Sequence, residues 1–164
     1  MRNLLIALVS IGLLGSRNAS GQGKPTSVRG AWQVIQVTLT APSPRTISVP
    51  DPRPNLAVFT AKHYSHLQVT SEGPRPIPAD MAKATVEELR AVWGPFSGEA
   101  GTYEMGNNTI TMHPIVAKNP AAMTSGAFTI YGIKLQGDTL WLTEQRTHRG
   151  PIANPVTLKA VRVE

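Results

Sequence analysis

Short segments rich in β-branched residues alternate along this chain with clusters of proline, glycine and asparagine. The segment 31–40 (AWQVIQVTLT) has the two-residue period of a strand. Segments 55–60 and 64–70 have the pattern of a hairpin, and 156–163 (VTLKAVRV) predicts a closing strand. Proline cannot donate to a central ladder. The five prolines of 41–54 therefore predict a long surface loop.

Two further hairpins are predicted by their turn residues. In GTYEMGNNTITMHPIV the turn falls at 107–108, because asparagine tolerates the backbone angles of tight hairpin turns. In FTIYGIKLQGDTLWLTEQ the Gly-Asp pair at 137–138 has the same role. The expected cross-strand pairs are Met105–Ile110, Tyr103–Met112, Leu135–Leu140, Lys134–Trp141 and Tyr131–Glu144.

A helical period is convincing in one segment, from Met81 to about Trp93. Asp80 is placed to cap its first turn, and Gly94 with Pro95 ends it. The expected apolar stripe consists of Ala82, Val86, Leu89 and either Val92 or Trp93.

About eight short antiparallel strands must protect their edges, and closure into a barrel does so at this chain length. Gly30 and Trp32 open the first strand and Arg162 lies in the last, where a closed barrel makes them neighbours. An arginine stacked on an indole contributes roughly 0.5–2 kcal/mol. We therefore expect an all-β fold, an antiparallel closed barrel of about eight strands with one inserted helix. A sheet-and-helix sandwich is the alternative.

The N-terminus has the pattern of an export signal over residues 1–21. Arg2 gives a positive start, and Leu4–Gly15 is apolar but shorter than the about 20 residues that cross a bilayer. We expect this segment to be removed, with an uncleaved anchor as the alternative. Residues 22–29 would then be a mobile leader and 30–164 a single barrel domain, secreted or periplasmic.

Composition excludes several classes of function. The chain has no cysteine, which removes disulfides, thiolate metal sites and thiol catalysis. Loss of Arg2 and Arg17 with the signal would lower the formal net charge of +6 by two. The remaining cations are scattered singly, so we expect no nucleic-acid partner. No cofactor is predicted.

The chain resembles a known family through the order of several short motifs. Its Gly30-x-Trp32 opening is similar to that of lipocalins and the wider calycin barrels, and the whole chain is closer to the lipocalin-like domain family. The resemblance implies a barrel able to hold a ligand and supplies no established catalytic residues. The chain departs from the family at Ala127–Tyr131 (AFTIY) and in its long proline segment. The matching segments are Pro54–Val69, Thr85–Trp93, Gly101–Val116, Leu135–Leu142 and Thr157–Arg162.

Seven polar or aromatic residues on the predicted strands are candidates for ligand binding. Tyr64 and His66 share one strand face. The expected polar anchor is Tyr64, His66, Tyr103 or Arg146. The full set is Tyr64, His66, Tyr103, His113, Tyr131, Trp141 and Arg146.

Two chemical alternatives remain open at this point, although we assign no metal ligand and no catalytic residue. A copper or zinc site would combine His66 and His113 with Met105 or Met112. Acid–base chemistry would need Glu104 or Glu144 to converge with His113 inside the barrel.

We expect an exported barrel that binds a small, largely apolar ligand, with the 41–54 loop near its mouth. One alternative is a barrel enzyme of the isomerase or cyclase type. Another is a ligand-free interaction module with a filled core, which would use the helix or Ile35, Val37 and Leu39. A homodimer is left open.

Overall fold

The computed structural model describes residues 27–49, 54–71 and 73–164, which form ten strands and one α-helix. None of the helices in this part of the chain is long and apolar enough to cross a membrane. A single 3-10 turn covers Pro120–Met123. In chain order the elements are β1 (Gly30–Leu39), β2 (Arg45–Ser48), β3 (Asn55–Phe59), β4 (His63–Val69), α1 (Val86–Trp93), β5 (Phe96–Met105), β6 (Thr109–Ala117), β7 (Thr129–Gln136), β8 (Thr139–Thr147), β9 (Gly150–Pro151) and β10 (Thr157–Arg162).

Eight of these strands close into an antiparallel barrel. Going round the wall, the order is β1, β3, β4, β5, β6, β7, β8 and β10, and β10 pairs with both β8 and β1. The short strands β2 and β9 pair with β1 and β8 outside this circuit. The closed all-β barrel with one helix is therefore confirmed. The predicted registers of both hairpins, with turns at 107–108 and 137–138, are also confirmed.

The first and last barrel strands meet as the sequence predicts, with Trp32 opposite Arg162. Trp32 is fully buried, and the guanidinium carbon of Arg162 lies 4.2 Å from the indole centroid. The indole Nε1 donates to the carbonyl of Val28 at 2.7 Å. Arg162 also donates to the carbonyls of Arg29 and Ser27. A cation–π contact and charge-assisted hydrogen bonds thus close this end of the barrel.

Residues 27–29, the end of the predicted leader, are held against this closed end by those bonds. Residues 22–26 and the predicted signal at 1–21 lie outside the described residues. The division of the chain into signal, leader and barrel domain stays a prediction.

The hydrophobic core fills the closed half of the barrel. Its inward residues come from alternate positions along the strands, as a half-buried pleated wall requires. The ring of Phe59 packs edge-on to Tyr103, with centroids 5.5 Å apart. The buried cluster consists of Val28, Trp32, Val34, Ala57, Phe59, Tyr64, Tyr103, Ile110, Met112, Leu140, Leu142 and Ala160.

The second half of β1 differs from the sequence prediction in two respects. The register with β10 shifts between Val34 and Gln36, a bulge that turns Val37 to the same inner side as Val34. Val37 therefore does not share an outer contact surface with Ile35 and Leu39, as the interaction-module alternative would require. The expected 41–54 loop also contains a strand, β2, which pairs with β1 beyond the bulge. β2 itself contains no proline, so each of its residues has the N–H that pairing in the sheet requires.

Asn55 replaces a backbone partner where β3 leaves β1. The two strands pair only at residues 30–32 of β1, whereas β2 pairs with 36–39. Between these stretches, the Asn55 side chain accepts from Val34 N at 2.6 Å and donates to Val34 O at 3.1 Å. The edge of β1 is thus satisfied although its neighbour changes, as buried backbone groups require.

The helix is shorter than predicted and begins at Val86. Thr85 caps it, and Thr85 and Glu88 form a reciprocal capping box. The prediction that Asp80 caps a helix from Met81 is wrong, because the Asp80 carboxylate instead accepts from the N–H of Ala82 in a separate turn. The predicted end before Gly94 is confirmed.

The helix lies on the outside of the barrel, and none of its residues is buried. The predicted apolar stripe therefore does not enter the core. Its C-terminal end is fixed by Lys118 of the segment after β6, whose ammonium donates to the carbonyls of Trp93, Gly94 and Phe96. The rings of Trp93 and Phe96 meet edge-on with centroids 6.2 Å apart. A cation at the C-terminal end also complements the helix dipole.

Gly30→Ala should destabilise the closed end. Gly30 has φ +127°, and an added Cβ would lie 2.5 Å from Nη1 of Arg162 and 2.4 Å from the carbonyl oxygen of Glu164. We expect a loss of about 2 kcal/mol or more in the free energy of unfolding, measured by chemical denaturation. Gly73→Ala is the matched control, because no atom lies within 4 Å of its added Cβ. Equal effects at both positions would contradict the account.

Asn55→Ala should also destabilise the barrel, because it leaves both backbone groups of Val34 without their side-chain partner. We expect a loss of about 1–3 kcal/mol in the free energy of unfolding. Gln68→Ala, directly opposite Asn55 on β4, serves as the control and should cost less. A smaller loss at Asn55 than at Gln68 would show that the amide is not needed there.

Candidate functional site

A cavity of about 390 Å³ occupies the open half of the barrel, at the end opposite Trp32 and Arg162. Val34 belongs both to the core cluster and to the cavity lining, so the cavity begins where the core ends. The apolar residues of its lining are Val34, Val37, Val49, Val69, Val156 and Leu158. The polar residues of its lining are Asn55, His66, Gln68, Thr70, Ser97, Glu99, Tyr131 and Glu144.

Strand register explains why polar groups collect at this end. On β4 the inward positions run from buried Tyr64 to His66 and Gln68. The opposing positions on β5 are Glu99 beside His66 and Ser97 beside Gln68. On the other side of the barrel, Tyr131 of β7 pairs with Glu144 of β8. Side chains paired in this way are close enough to contact one ligand.

His66 presents an unsatisfied nitrogen at the cavity. Its Nε2 atom is buried and has no hydrogen-bond partner among the described residues. Burial lowers the pKa of His66 below its ordinary value of 6.5, because desolvation disfavours the imidazolium. A neutral imidazole can donate or accept a single hydrogen bond through this atom. His66 thus has an unused hydrogen-bonding atom within the wall of the cavity.

Glu99 and Glu144 give the cavity its negative charge. The Tyr64 hydroxyl donates to Oε1 of Glu99 at 2.9 Å, and the N–H of Val156 donates to Oε2 of Glu144 at 3.0 Å. Burial raises the pKa of Tyr131, and the two carboxylates add to this effect. Burial is also the main cause that raises the pKa of Tyr64, and the negative charge of Glu99 raises it further. Both hydroxyls are therefore protonated, neutral groups at physiological pH.

The structure brings two of the seven candidate residues, His66 and Tyr131, to the cavity wall. Tyr64 lies just below, in the core, and reaches the site through its bond to Glu99. Tyr103 belongs to the core, where its hydroxyl donates to the carbonyl of Thr60 at 2.7 Å. The other three candidates lie elsewhere.

Trp141 is held on the outside of the wall by Lys134 and Lys159, whose ammonium nitrogens are 5.0 and 5.7 Å from its ring centroid. His113 lies beside Phe128, with ring centroids 6.3 Å apart. Arg146 is exposed on β8. None of these three belongs to the cavity lining. A part in binding stays a prediction for all seven candidates.

The two chemical alternatives lack their expected geometry. Met112 is buried in the core and Met105 is half exposed at the end of β5. His113 follows buried Met112 and so faces outward, and Glu104 is exposed. Within the described part of the chain, no three His, Cys, Asp or Glu side chains form a group that could hold a metal ion. The required convergence with His113 inside the barrel is therefore not observed.

Sequence reasoning missed Glu99, Asn55, Gln68 and Ser97. It began the hairpin at Gly101, whereas β5 begins at Phe96, directly after the helix. The signal was available, because positions 97, 99, 101 and 103 continue one alternating face toward Tyr103. The glycine and proline that end the helix lie just upstream and have the pattern of a loop, so the strand start at Phe96 was not recognised.

No known family model and no curated protein matches this chain. The closed barrel is accordingly established by its own strand pairing, which has the form of a calycin-like barrel. The closer resemblance to lipocalin-like domains stays a prediction.

His66 should make the stability of the protein depend on pH. Since burial lowers the pKa of His66 in the folded state, the unfolded chain binds this proton at higher pH. The resulting stability is present above pH 6.5 and is lost as the pH falls toward the folded pKa. His66→Gln should therefore lose less free energy of unfolding on acidification, by at most about 1.4 kcal/mol per pH unit.

Urea denaturation at several pH values between about 7.5 and 5.5 measures this difference. His63→Gln, at the exposed start of the same strand, controls for loss of an imidazole. Parallel pH profiles for His66→Gln and the unmodified protein would contradict the assignment.

Proposed function

We propose that this protein is an exported, lipocalin-like barrel that binds one small, largely apolar molecule in its interior. The cavity of about 390 Å³ is the observation that carries the proposal. An eight-stranded barrel has room either for side chains alone or for one small ligand. Here the closed half is filled by side chains and the open half is not.

The lining supports an apolar ligand body. Six valine and leucine side chains belong to the lining, and their contact with a ligand would remove apolar surface from water. An eight-carbon tail would gain roughly 6 kcal/mol at about 0.8 kcal/mol per methylene. Association costs about 4–15 kcal/mol, so a polar anchor is needed in addition.

A polar anchor must lie at the cavity and have a hydrogen-bonding atom that no protein group already uses. Tyr103 is engaged by Thr60, and Arg146 lies outside the lining. Tyr64 donates its proton to Glu99. His66 has an unpartnered Nε2, and Tyr131 lines the cavity beside Glu144. These two are the anchors we propose.

The position of β2 supports a mouth bordered by the proline segment. β2 pairs with residues 36–39 of β1, and Val49 just beyond it lines the cavity. Residues 50–53 lie outside the described chain. Export is proposed from the sequence pattern of residues 1–21.

The alternative functions differ in what they require of the interior. A ligand-free interaction module requires a filled barrel, and the cavity counts against it. An enzyme of the isomerase or cyclase type is the second candidate, because His66 lies opposite Glu99 and its Nε2 has no partner among the described residues. Turnover of a bound ligand that is lost in His66→Gln, with binding retained, would favour the enzyme.

Leu158→Trp should abolish ligand binding by filling the cavity. Leu158 lies on β10 opposite Val37 and projects into the cavity lining. Titration with a fluorescent fatty-alcohol probe, together with native mass spectrometry for co-purifying lipids, measures the effect. We expect at least about a tenfold loss of affinity, since the indole displaces the ligand's apolar contacts.

Leu56→Trp is the matched control, because Leu56 is 44% exposed on the outer face of β3. It should leave probe affinity unchanged. Failure of the unmodified protein to bind any apolar probe, or equal binding by both variants, would overturn the proposed function.

A further inference from the structure

The charges of the cavity lining are of one sign. Glu99 and Glu144 contribute carboxylates, and the described lining contains no lysine or arginine. A fatty-acid carboxylate placed here would meet two like charges without a cation to offset them. The field inside a low-dielectric wall is stronger than in water, so this sign matters for ligand choice.

Neither carboxylate has a cationic partner among the described residues. The ion pairs in this part of the chain are Lys83–Asp80 and Arg162–Asp138. Glu99 accepts from the neutral Tyr64 hydroxyl and Glu144 from the backbone of Val156. Each carboxylate has further acceptor capacity beyond these bonds. Both can thus accept hydrogen bonds from a ligand.

Two described cations lie in outer hollows that Glu99 also lines, and neither reaches the cavity. Glu99 also borders two outer hollows, one containing Lys118 and the other Arg149. The Lys118 ammonium is held by the carbonyls of Trp93, Gly94 and Phe96. Arg149 forms no ion pair with Glu99. Neither residue lines the cavity itself.

We propose that the cavity selects a compact amine, with a protonated ammonium between Glu99 and Glu144 and an apolar body against the valine and leucine side chains of the lining. The inference rests on the proposed function, because it names the ligand class of the same cavity. Both carboxylates belong to the lining of this one cavity, and Tyr131, which pairs with Glu144, belongs to it as well.

Each part of such a ligand has a matching group. An ammonium is a three-fold donor, and carboxylates accept charge-assisted hydrogen bonds that are about twice as strong as neutral ones. The unpartnered Nε2 of neutral His66 offers a further acceptor in one of its tautomers. The apolar body replaces water along Val37, Val69 and Leu158. A ligand carboxylate has no N–H to donate to these acceptors, and both glutamates would repel it.

Three probes of one chain length test the inference: n-octylamine, 1-octanol and octanoate, titrated near pH 7 by calorimetry. We expect octylamine to bind about tenfold or more tightly than octanol, and octanoate to bind more weakly than octanol. Octanol measures the apolar cavity alone. The difference between octylamine and octanol measures the carboxylates.

Glu99→Gln and Glu144→Gln should each reduce octylamine affinity by about tenfold and leave octanol affinity unchanged. Glu104→Gln is the matched control on the same strand as Glu99, because Glu104 is exposed. It should change neither affinity. The series on the unmodified protein remains decisive if one glutamate variant does not fold.

The outcomes separate the two proposals. Equal affinities for the three probes, or tightest binding of octanoate, would overturn the amine inference and leave the proposed function standing. Absence of binding for all three would overturn the proposed function itself. Loss of octylamine affinity in Glu104→Gln equal to that in Glu99→Gln would assign the effect to overall charge and overturn the inference.

Discussion

The pairing of β1 with β10 is the constraint on which the rest of the structure depends. It joins the two ends of the described chain and removes the free edges of an eight-stranded wall. Trp32 and Arg162 hold this seam at one end, because the guanidinium covers the buried indole and bonds the incoming backbone. Gly30 is needed there because a side chain would occupy the space of the Arg162 guanidinium. Packing at the closed end follows from this seam.

The opposite end is open because β1 changes partners along its length. β3 pairs with its first residues and β2 with its last, while Asn55 satisfies Val34 between them. The bulge after Val34 turns Val37 inward, toward the cavity. A sheet that kept one neighbour throughout would bring β3 against the whole of β1. The divided edge instead places β2 along the second half of β1, and Val49 just beyond β2 lines the cavity.

The sequence was informative where one local signal determines structure. Turn chemistry at 107–108 and 137–138 predicted both hairpin registers, and the Gly30-x-Trp32 opening with Arg162 predicted closure. It failed where two signals compete or where tertiary contacts decide. Alternation put Val37 outside because no local signal marks the bulge. The Thr85–Glu88 capping box competed with Asp80 as the helix start. Among the residues of the cavity lining, the sequence pointed to His66 and Tyr131, each on the inward face of its strand. It missed Glu99, because that residue belongs to β5, whose start the sequence analysis placed too late.

The contrast between the two halves of the barrel is an argument about function. The closed half is filled with aliphatic and aromatic side chains, and its tyrosine hydroxyls have partners. The open half contains two half-buried carboxylates and a buried imidazole nitrogen that has no partner among the described residues, and partial removal of such groups from water opposes folding. Continuing the aliphatic packing to the mouth would be the more stable arrangement. Local rules are broken in proteins mainly where function requires it. A ligand that supplies donors to these groups would offset their cost, and this is the physical reason for proposing a binding site at this end of the barrel.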